Sequence, residues 1–388
     1  VRYAIADLAH FIEPNGLVDG AARRRGVTFY APDEKASLHP DVLNQDAASL
    51  LPGVDRPALV WTHDLDSHGT LVDTHVERAI VKSRRALSYQ EVHADLHGGD
   101  PAEVHLLLRE IGILRQKKEA TRGGVSLRLP SQEVVPQDGS YALTFRATLP
   151  VENWNAQMSL LTGMAAAEVM LDGRVGLLRT LPKPEKRTLA WLRRCSEALD
   201  VPYPNHLAYP DWVRSLDMAD PDQAALMTQA ARAFRGAGYA GFDGELPKNT
   251  RHYAIGANYA HVTAPLRRLI DRFANEIVLA LRAEDRPPGW VVEALDTIPD
   301  TMTDASRRER AFERAIVDFT EALILAPRAG EVFPAIATDV DKERVTIQIR
   351  RPAIVARLEA SGIGLGDEIE VRLVEADPRA GLVQFEVA

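Results

Sequence analysis

The sequence predicts an α+β protein: a mixed sheet packed with helices, followed by a small all-β barrel. Three observations carry this. The first ninety residues are rich in β-branched and apolar runs, helices dominate from 185 to 235, and the composition shifts after Pro327.

Arg2 to Asp7 reads as an interior strand. A domain rarely begins inside a buried strand, because its neighbour then lacks a pairing partner. Residue 1 is Val rather than Met, so a fragment, a processed product or the ordered part of a longer protein is expected. Ala58–Leu65 and Leu71–Val81 form a hairpin around the turn Ser67-His-Gly69. His63, Asp64, Asp66 and His68 lack zinc spacing and read as its polar surface. Ser88-Tyr-Gln-Glu91 is a capping box, so a helix starts near Tyr89. Apolar residues at 104, 107, 108, 111 and 114 mark an amphipathic helix from Pro101 to about Arg122. Short strands are expected at about 125–129, 132–136 and 141–148. The run from Asn155 to Leu171 is apolar almost all round, which places a helix in the domain centre. Gly236-Ala-Gly-Tyr-Ala-Gly241 follows a helical run and reads as a flexible loop rather than a dinucleotide fingerprint. Further helices are expected from Pro265 to about Ala283 and over roughly 303–325. Pro327-Arg-Ala-Gly330 is a linker, and the short strands after it suggest an OB-fold. The expected domains are therefore 1–327 and 328–388.

With 46% hydrophobic and 26% charged residues, the chain is ordinary for a soluble globular protein. No apolar run approaches the roughly 18–20 residues of a membrane span, and no signal-peptide pattern opens the chain. The single cysteine, Cys195, cannot form an internal disulfide and sits in a helical run as core packing. A reducing cytoplasm is the expected location. Nothing demands an oligomer, and a monomer is expected. The net charge of −9 argues against indiscriminate coating of nucleic acid. It permits a buried basic channel through which a single strand is threaded.

The most informative segment is Tyr259-Ala-His-Val-Thr-Ala-Pro-Leu-Arg-Arg-Leu-Ile-Asp-Arg272. Pro265 is expected to open a helix presenting Arg267, Arg268 and Arg272. Guanidiniums gathered on one segment of an acidic protein suggest an anion site, and planar forks suit phosphate. The plainer reading is a basic helix on a solvated face. Arg268 reads equally as a structural ion-pair partner. Tyr30 and Tyr89 each follow a basic stretch, and an aromatic face beside cations suits base stacking.

That segment resembles the Y-x-H-F-T-S-P-I-R-R-Y signature of the ribonuclease II family of 3′→5′ exoribonucleases. Ala4-Ile-Ala-Asp-Leu-Ala-His-Phe11 is similar to the family's V-x-I-A-D-V-S-H-F/Y, and Arg25-Gly-Val-Thr-Phe-Tyr-Ala-Pro32 to its R-G-x-S-x-Y-x-P. Leu43-Asn44 with Ser49-Leu50, Ser83-Arg-Arg-Ala-Leu-Ser-Tyr89 and His252-Tyr-Ala-Ile255 add collinear matches. The resemblance implies a bacterial RNB-type catalytic domain followed by an RNA-binding OB-fold. It implies processive 3′→5′ hydrolysis of single-stranded RNA to nucleoside 5′-monophosphates with Mg²⁺. It assigns Arg267 to charge developing at phosphorus. It places Tyr30 and Tyr89 against the 3′-terminal nucleotides, with Arg268 beside them. Glu313, in Glu313-Arg-Ala-Ile-Val-Asp-Phe319, matches a family glutamate that orients Arg267 or a nucleotide. The plainer reading of Glu313 is a surface carboxylate paired with Arg310 or another basic neighbour.

Two departures qualify it. The family's D-x5-D-x-D-D cluster, whose hard oxygen ligands hold Mg²⁺, is missing, so metal ligands are expected upstream of Val1 and none in this chain. Where family members carry I-E-E-x-M, Asn155-Ala-Gln-Met-Ser-Leu-Leu-Thr-Gly163 has no glutamate. The rival expectation is a non-catalytic RNA-binding protein that keeps the fold. A basic interior path containing Arg267, Tyr30 and Tyr89 is expected. Deleting residues 330–388 is expected to weaken binding to long strands and flatten its salt dependence.

Overall fold

The computed structural model describes residues 1–127, 131–137, 140–146, 148–218 and 220–388. The chain opens with β1 (Arg2–Ala6), α1 (Leu17–Arg25), the small hairpin β2 (Phe29–Tyr30) and β3 (Lys35–Ala36), and the long hairpin β4 (Asp55–Leu65) and β5 (Leu71–Lys82). Next come α2 (Tyr89–Leu96), α3 (Glu103–Thr121), the hairpin β6 (Ser131–Gln137) and β7 (Ser140–Arg146), α4 (Pro150–Asp172) and β8 (Val175–Thr180). Helices α5 (Lys186–Ala198), α6 (Tyr209–Ser215) and α7 (Pro221–Ala230) precede β9 (Gly238–Asp243), β10 (Arg251–His252) and β11 (Ala257–Asn258). Then follow α8 (Leu269–Arg282), α9 (Gly289–Val292) and α10 (Ile298–Leu325). The chain closes with β12 (Val332–Asp341), β13 (Arg344–Ile349), β14 (Ile354–Glu359), β15 (Glu368–Asp377) and β16 (Leu382–Val387).

The main core forms where β1, β4 and β5, an antiparallel sheet, meet α4 and α8. Leu269, Ile270, Phe273, Ala274, Ile277 and Val278 of α8 recur at helical spacing and are all buried. In α4 the small residues Ala165, Ala166 and Ala167 are buried together, as an all-round apolar helix at the centre requires. The Ser88 capping box forms with both of its hydrogen bonds.

The C-terminal strands pair antiparallel in the order β14-β13-β12-β15-β16, and β14 returns beside β16 to give a nearly closed barrel. Alternate residues point inward, among them Val345, Ile347 and Ile349. Leu143 of β7 and Leu325 of α10 are buried in that same core. The barrel therefore shares its interior with the preceding region.

Several expectations need correction. α8 starts at Leu269, because Pro265 to Arg268 form a turn in which Arg268 takes an extended N-cap conformation. Gly238–Asp243 is a strand paired with β8, so the glycine-rich stretch is not a loop throughout. His63 is fully buried: β4 turns it inward, where it meets Thr74 at 2.8 Å and Thr162 at 3.0 Å. The strand expected at 125–129 runs into residues 128–130, outside the described residues; 124–127 are irregular.

Candidate nucleic-acid interface

Asp271, in the first turn of α8, organises the motif. It is fully buried and accepts the Ala264 N–H at 2.6 Å and the Arg268 guanidinium at 2.8 and 2.9 Å. Burial works against the charge of Arg268, but the Asp271 carboxylate outweighs it and keeps the guanidinium protonated. Arg272 is also buried and donates to Asp19 and to the Ile12 carbonyl, each at 2.8 Å. Two of the three guanidiniums thus hold the fold, which corrects the expectation of a joint anion site. Arg267 differs. It is exposed, and its side chain makes no hydrogen bond or ion pair among the described residues. His39 steadies the turn beneath it by donating to the Pro265 carbonyl at 3.3 Å; burial lowers that imidazole to about 4 and keeps it neutral.

Around Arg267 the fold gathers groups from distant parts of the chain. Arg179 of β8 lies 4.4 Å over the Tyr239 ring, and the Tyr239 hydroxyl meets His261 Nδ1 at 3.1 Å. His261 packs edge-on against Tyr259, which in turn meets His252. Burial, then the cations Arg268, Arg179 and Arg267, hold His261 well below its usual pKa. It is a neutral hydrogen-bonding group at pH 7. Glu309 of α10 is pushed up by burial and by Glu313, and pulled down by Arg267 and Arg268. Glu309 is therefore within electrostatic reach of Arg267, and Glu313 within reach of Glu309. The expectation of an interior path fits the buried base of the cluster, not the exposed Arg267 guanidinium.

The backbone ties Tyr30 to this site. Thr28 N–H donates to the Arg267 carbonyl at 3.0 Å, and Leu269 N–H to Gly26 at 2.9 Å. Tyr30 stands two residues further, roughly 7 Å of extended chain, and is exposed. Gly26 has φ +78°, and a Cβ there would meet Ala305 at 2.4 Å, so only glycine lets α1 turn here against α10.

α4 sets the position of Tyr89. Asn155, Ser159 and Gly163 follow one another at i, i+4 and i+8 on one face. Asn155 donates to the Tyr89 hydroxyl at 3.1 Å, Ser159 shares a 2.9 Å hydrogen bond with Tyr3, and Gly163 lies against Tyr259. Tyr89 and Tyr259 therefore sit at opposite ends of a stripe roughly 12 Å long. A Cβ on Gly163 would come within 2.2 Å of the Tyr259 ring. Gln157, by contrast, faces the interior and is bonded to Glu119.

Among the described residues no three His, Cys, Asp or Glu side chains are placed to hold a metal ion. Asp7 is buried and bonded to Arg78 at 2.8 Å, and Arg78 also pairs with Glu276. These residues do not fit Mg²⁺. Sequence reasoning missed Arg179, Tyr239 and Glu309. A lone Arg in the apolar run Val175–Thr180 was a signal, as was Glu309 one helical turn before Glu313. Tyr239 carried no signal of its own.

Residues 1–283 match the RNB domain, and residues 331–388 match the RNase II-type exonuclease C-terminal S1 domain. The exosome complex exonuclease dis3 of Schizosaccharomyces pombe is 26% identical over 295 residues, covering 71% of this chain and 30% of that protein. Ribonuclease R of Escherichia coli is 24% identical over 372 residues, covering 87% of this chain and 44% of that protein. The chain thus spans less than half the length of either relative. Its fold superposes on Mycoplasma genitalium RNase R in complex with ribose methylated single-stranded RNA with a TM-score of 0.88 at 19% identity, over 100% of this chain and 66% of that one. Yeast Ssd1, described as a pseudonuclease, superposes at 0.71 and 17% identity, over 99% and 48%. No helix among the described residues is long and apolar enough to cross a membrane. The chain belongs to the RNB-domain family of exoribonucleases and carries that family's fold with a C-terminal S1-type OB barrel.

Proposed function

We propose that this chain holds the 3′ end of single-stranded RNA for processive 3′→5′ hydrolysis to nucleoside 5′-monophosphates, acting as a cytoplasmic monomer. The observation that carries the reading is Arg267. Among the described residues it is the motif guanidinium left without a partner; its carbonyl accepts from Thr28, two residues before Tyr30, and neutral His261 and fixed Arg268 lie at its base. In this reading Arg267 meets the phosphoryl oxygens, where a fixed cation stabilises charge as it develops. Glu313 and Glu309 orient Arg267. Tyr30 and Tyr89 stack on bases. Arg268 acts through the turn it fixes rather than by its own charge.

A second reading, RNA retention without cleavage, is favoured by one observation: the described residues assemble no carboxylate cluster. Hydrolysis by this family's chemistry uses Mg²⁺ held by hard oxygen ligands; retention does not. Incubating end-labelled single-stranded RNA and Mg²⁺ with the full-length protein separates the two. Nucleoside monophosphates released from the 3′ end support the enzyme. Tight binding with intact RNA supports retention, and no binding defeats both.

A further inference from the structure

A second basic feature lies beyond the Arg267 cluster. A cleft of about 690 Å³ opens between the start of α5 and the turn following Ala231–Phe234. Lys183, Arg187, Arg232 and Arg235 line it, against one carboxylate, Glu185. Arg187 is paired with Glu185, and Arg232 with Asp339 of β12. Lys183 and Arg235 are exposed and have no polar partner among the described residues. A chain of net charge −9 therefore keeps two uncompensated cations at one cleft. Such local concentration attracts anions.

The cleft also has an aromatic wall. The Arg232 guanidinium lies 4.4 Å over the half-buried Trp191 ring, and Asp339 holds it there. A flat indole–guanidinium surface is what an unstacked base packs on, with little regard to sequence. The first turn of α5 edges the cleft without a side-chain cap, so its N–H groups add to the positive end.

Its position in the fold connects it to the candidate interface. Arg179 pairs with Tyr239 across β8 and β9, and Thr180 with Gly238. Lys183 follows Arg179 by four residues and Arg235 precedes Tyr239 by four, roughly 13 Å of extended chain in each case. A strand of RNA held at the Arg267 cluster is within a few nucleotides of the cleft.

We propose that this cleft binds one nucleotide unit, its base on the Trp191–Arg232 wall and its phosphate between Lys183 and Arg235. That the nucleotide belongs to an RNA strand rests on the function proposed above; the nucleotide chemistry of the cleft does not.

The test is the charge reversal K183E/R235E, made on exposed side chains, with R109E/K117E on α3 as a control of equal charge. Binding of labelled single strands of about 20 nucleotides is measured by anisotropy over a range of salt, and binding of free AMP by calorimetry. The expected result is an RNA affinity about tenfold lower and a log–log salt slope smaller by about one to two, with the control unchanged. Trp191→Ala is expected to weaken binding by about fivefold or more and Trp191→Phe to restore most of it. AMP binding that vanishes in K183E/R235E supports a pocket for free nucleotide. RNA loss with AMP silent supports a subsite for a strand. Unchanged RNA affinity and slope with no AMP binding overturns the proposal, as does an equal loss in the control. If Tyr30→Ala still weakens binding in that case, the function proposed above stands alone. If only the cleft variants weaken binding, that function falls and the cleft remains.

Discussion

Arg267 and Tyr30 are neighbours in space with different expected chemistry, so their variants should fail differently. Arg267 is assigned to charge that develops in the transition state. In a protein that cleaves RNA, Arg267→Ala should lower single-turnover hydrolysis by about 10²–10³-fold and leave affinity nearly intact. Tyr30 is assigned to a base present before reaction. Tyr30→Ala should weaken metal-free RNA binding by about 1–3 kcal/mol, with a smaller effect on cleavage at saturation. Cleavage at the parent rate by Arg267→Ala would return it to a positioning role. Gly163 is a purely steric case. Gly163→Ala drives a methyl group against the Tyr259 ring and the Ala260 carbonyl, at 2.2 and 2.6 Å before relaxation. Thermal unfolding should show a loss of about 1–3 kcal/mol.

At the scale of elements, the start of α8 shows how one buried carboxylate shapes a site. Asp271 closes the Ala264–Arg268 turn and neutralises Arg268, which leaves Arg267 projecting alone. Breaking such a pair leaves a poorly compensated cation, because the Arg268 side chain is only 14% exposed. Asp271→Ala should cost about 3–5 kcal/mol in chemical denaturation and depress RNA binding with it; a loss under 1 kcal/mol would show that the turn holds without the pair. α4 acts as a ruler instead. Its Asn155 holds Tyr89 by a hydrogen bond at one end, and Gly163 lies against Tyr259 at the other.

The whole molecule depends on elements that cross between its two regions. Glu321 of α10 is buried and accepts from Gln132 of the β6–β7 hairpin at 2.7 Å and from Val355 N–H of the barrel at 3.0 Å. Leu143 fills the barrel core from the same hairpin. Removing residues 330–388 therefore strips a shared core as well as the RNA contacts expected of the barrel. Leu143→Ala should lower stability by about 2–5 kcal/mol, and amide exchange in β12 to β16 should quicken; unchanged exchange would mean the barrel stands by itself. Acid should also unfold the protein through its buried imidazoles. His39, His63 and His252 are lowered to about 4, chiefly by burial, against 6.5 when exposed. The unfolded chain then binds more protons below pH 6.5, so their contribution is complete above 6.5 and is lost as pH falls towards 4. Burial raises Glu276, Glu309 and Glu321, whose contribution is present below 4.5 and fades as pH rises. The sets oppose each other, so a single substitution isolates one. The urea midpoint of His63→Gln should fall less between pH 7 and pH 5 than that of the parent; an equal fall would remove His63 from the account.

Local chemistry was legible in the chain itself. The Ser88 capping box, the central α4 and the barrel after Pro327 follow from hydrogen-bonding residues, periodicity and composition, which act over a few neighbours. The family signature likewise sits in contiguous residues. What contiguous residues could not show was which charges are spent. Asp19 and Asp271 neutralise Arg272 and Arg268 while Arg267 is left free among the described residues, and only packing decides that, since Asp19 lies on a helix far away in the chain. The inward turn of His63 depended on strand register. Arg179, Tyr239 and Glu309 reach the site from three separate elements. Burial and Coulomb interaction depend on distance in space, and the sequence states distance only along the chain.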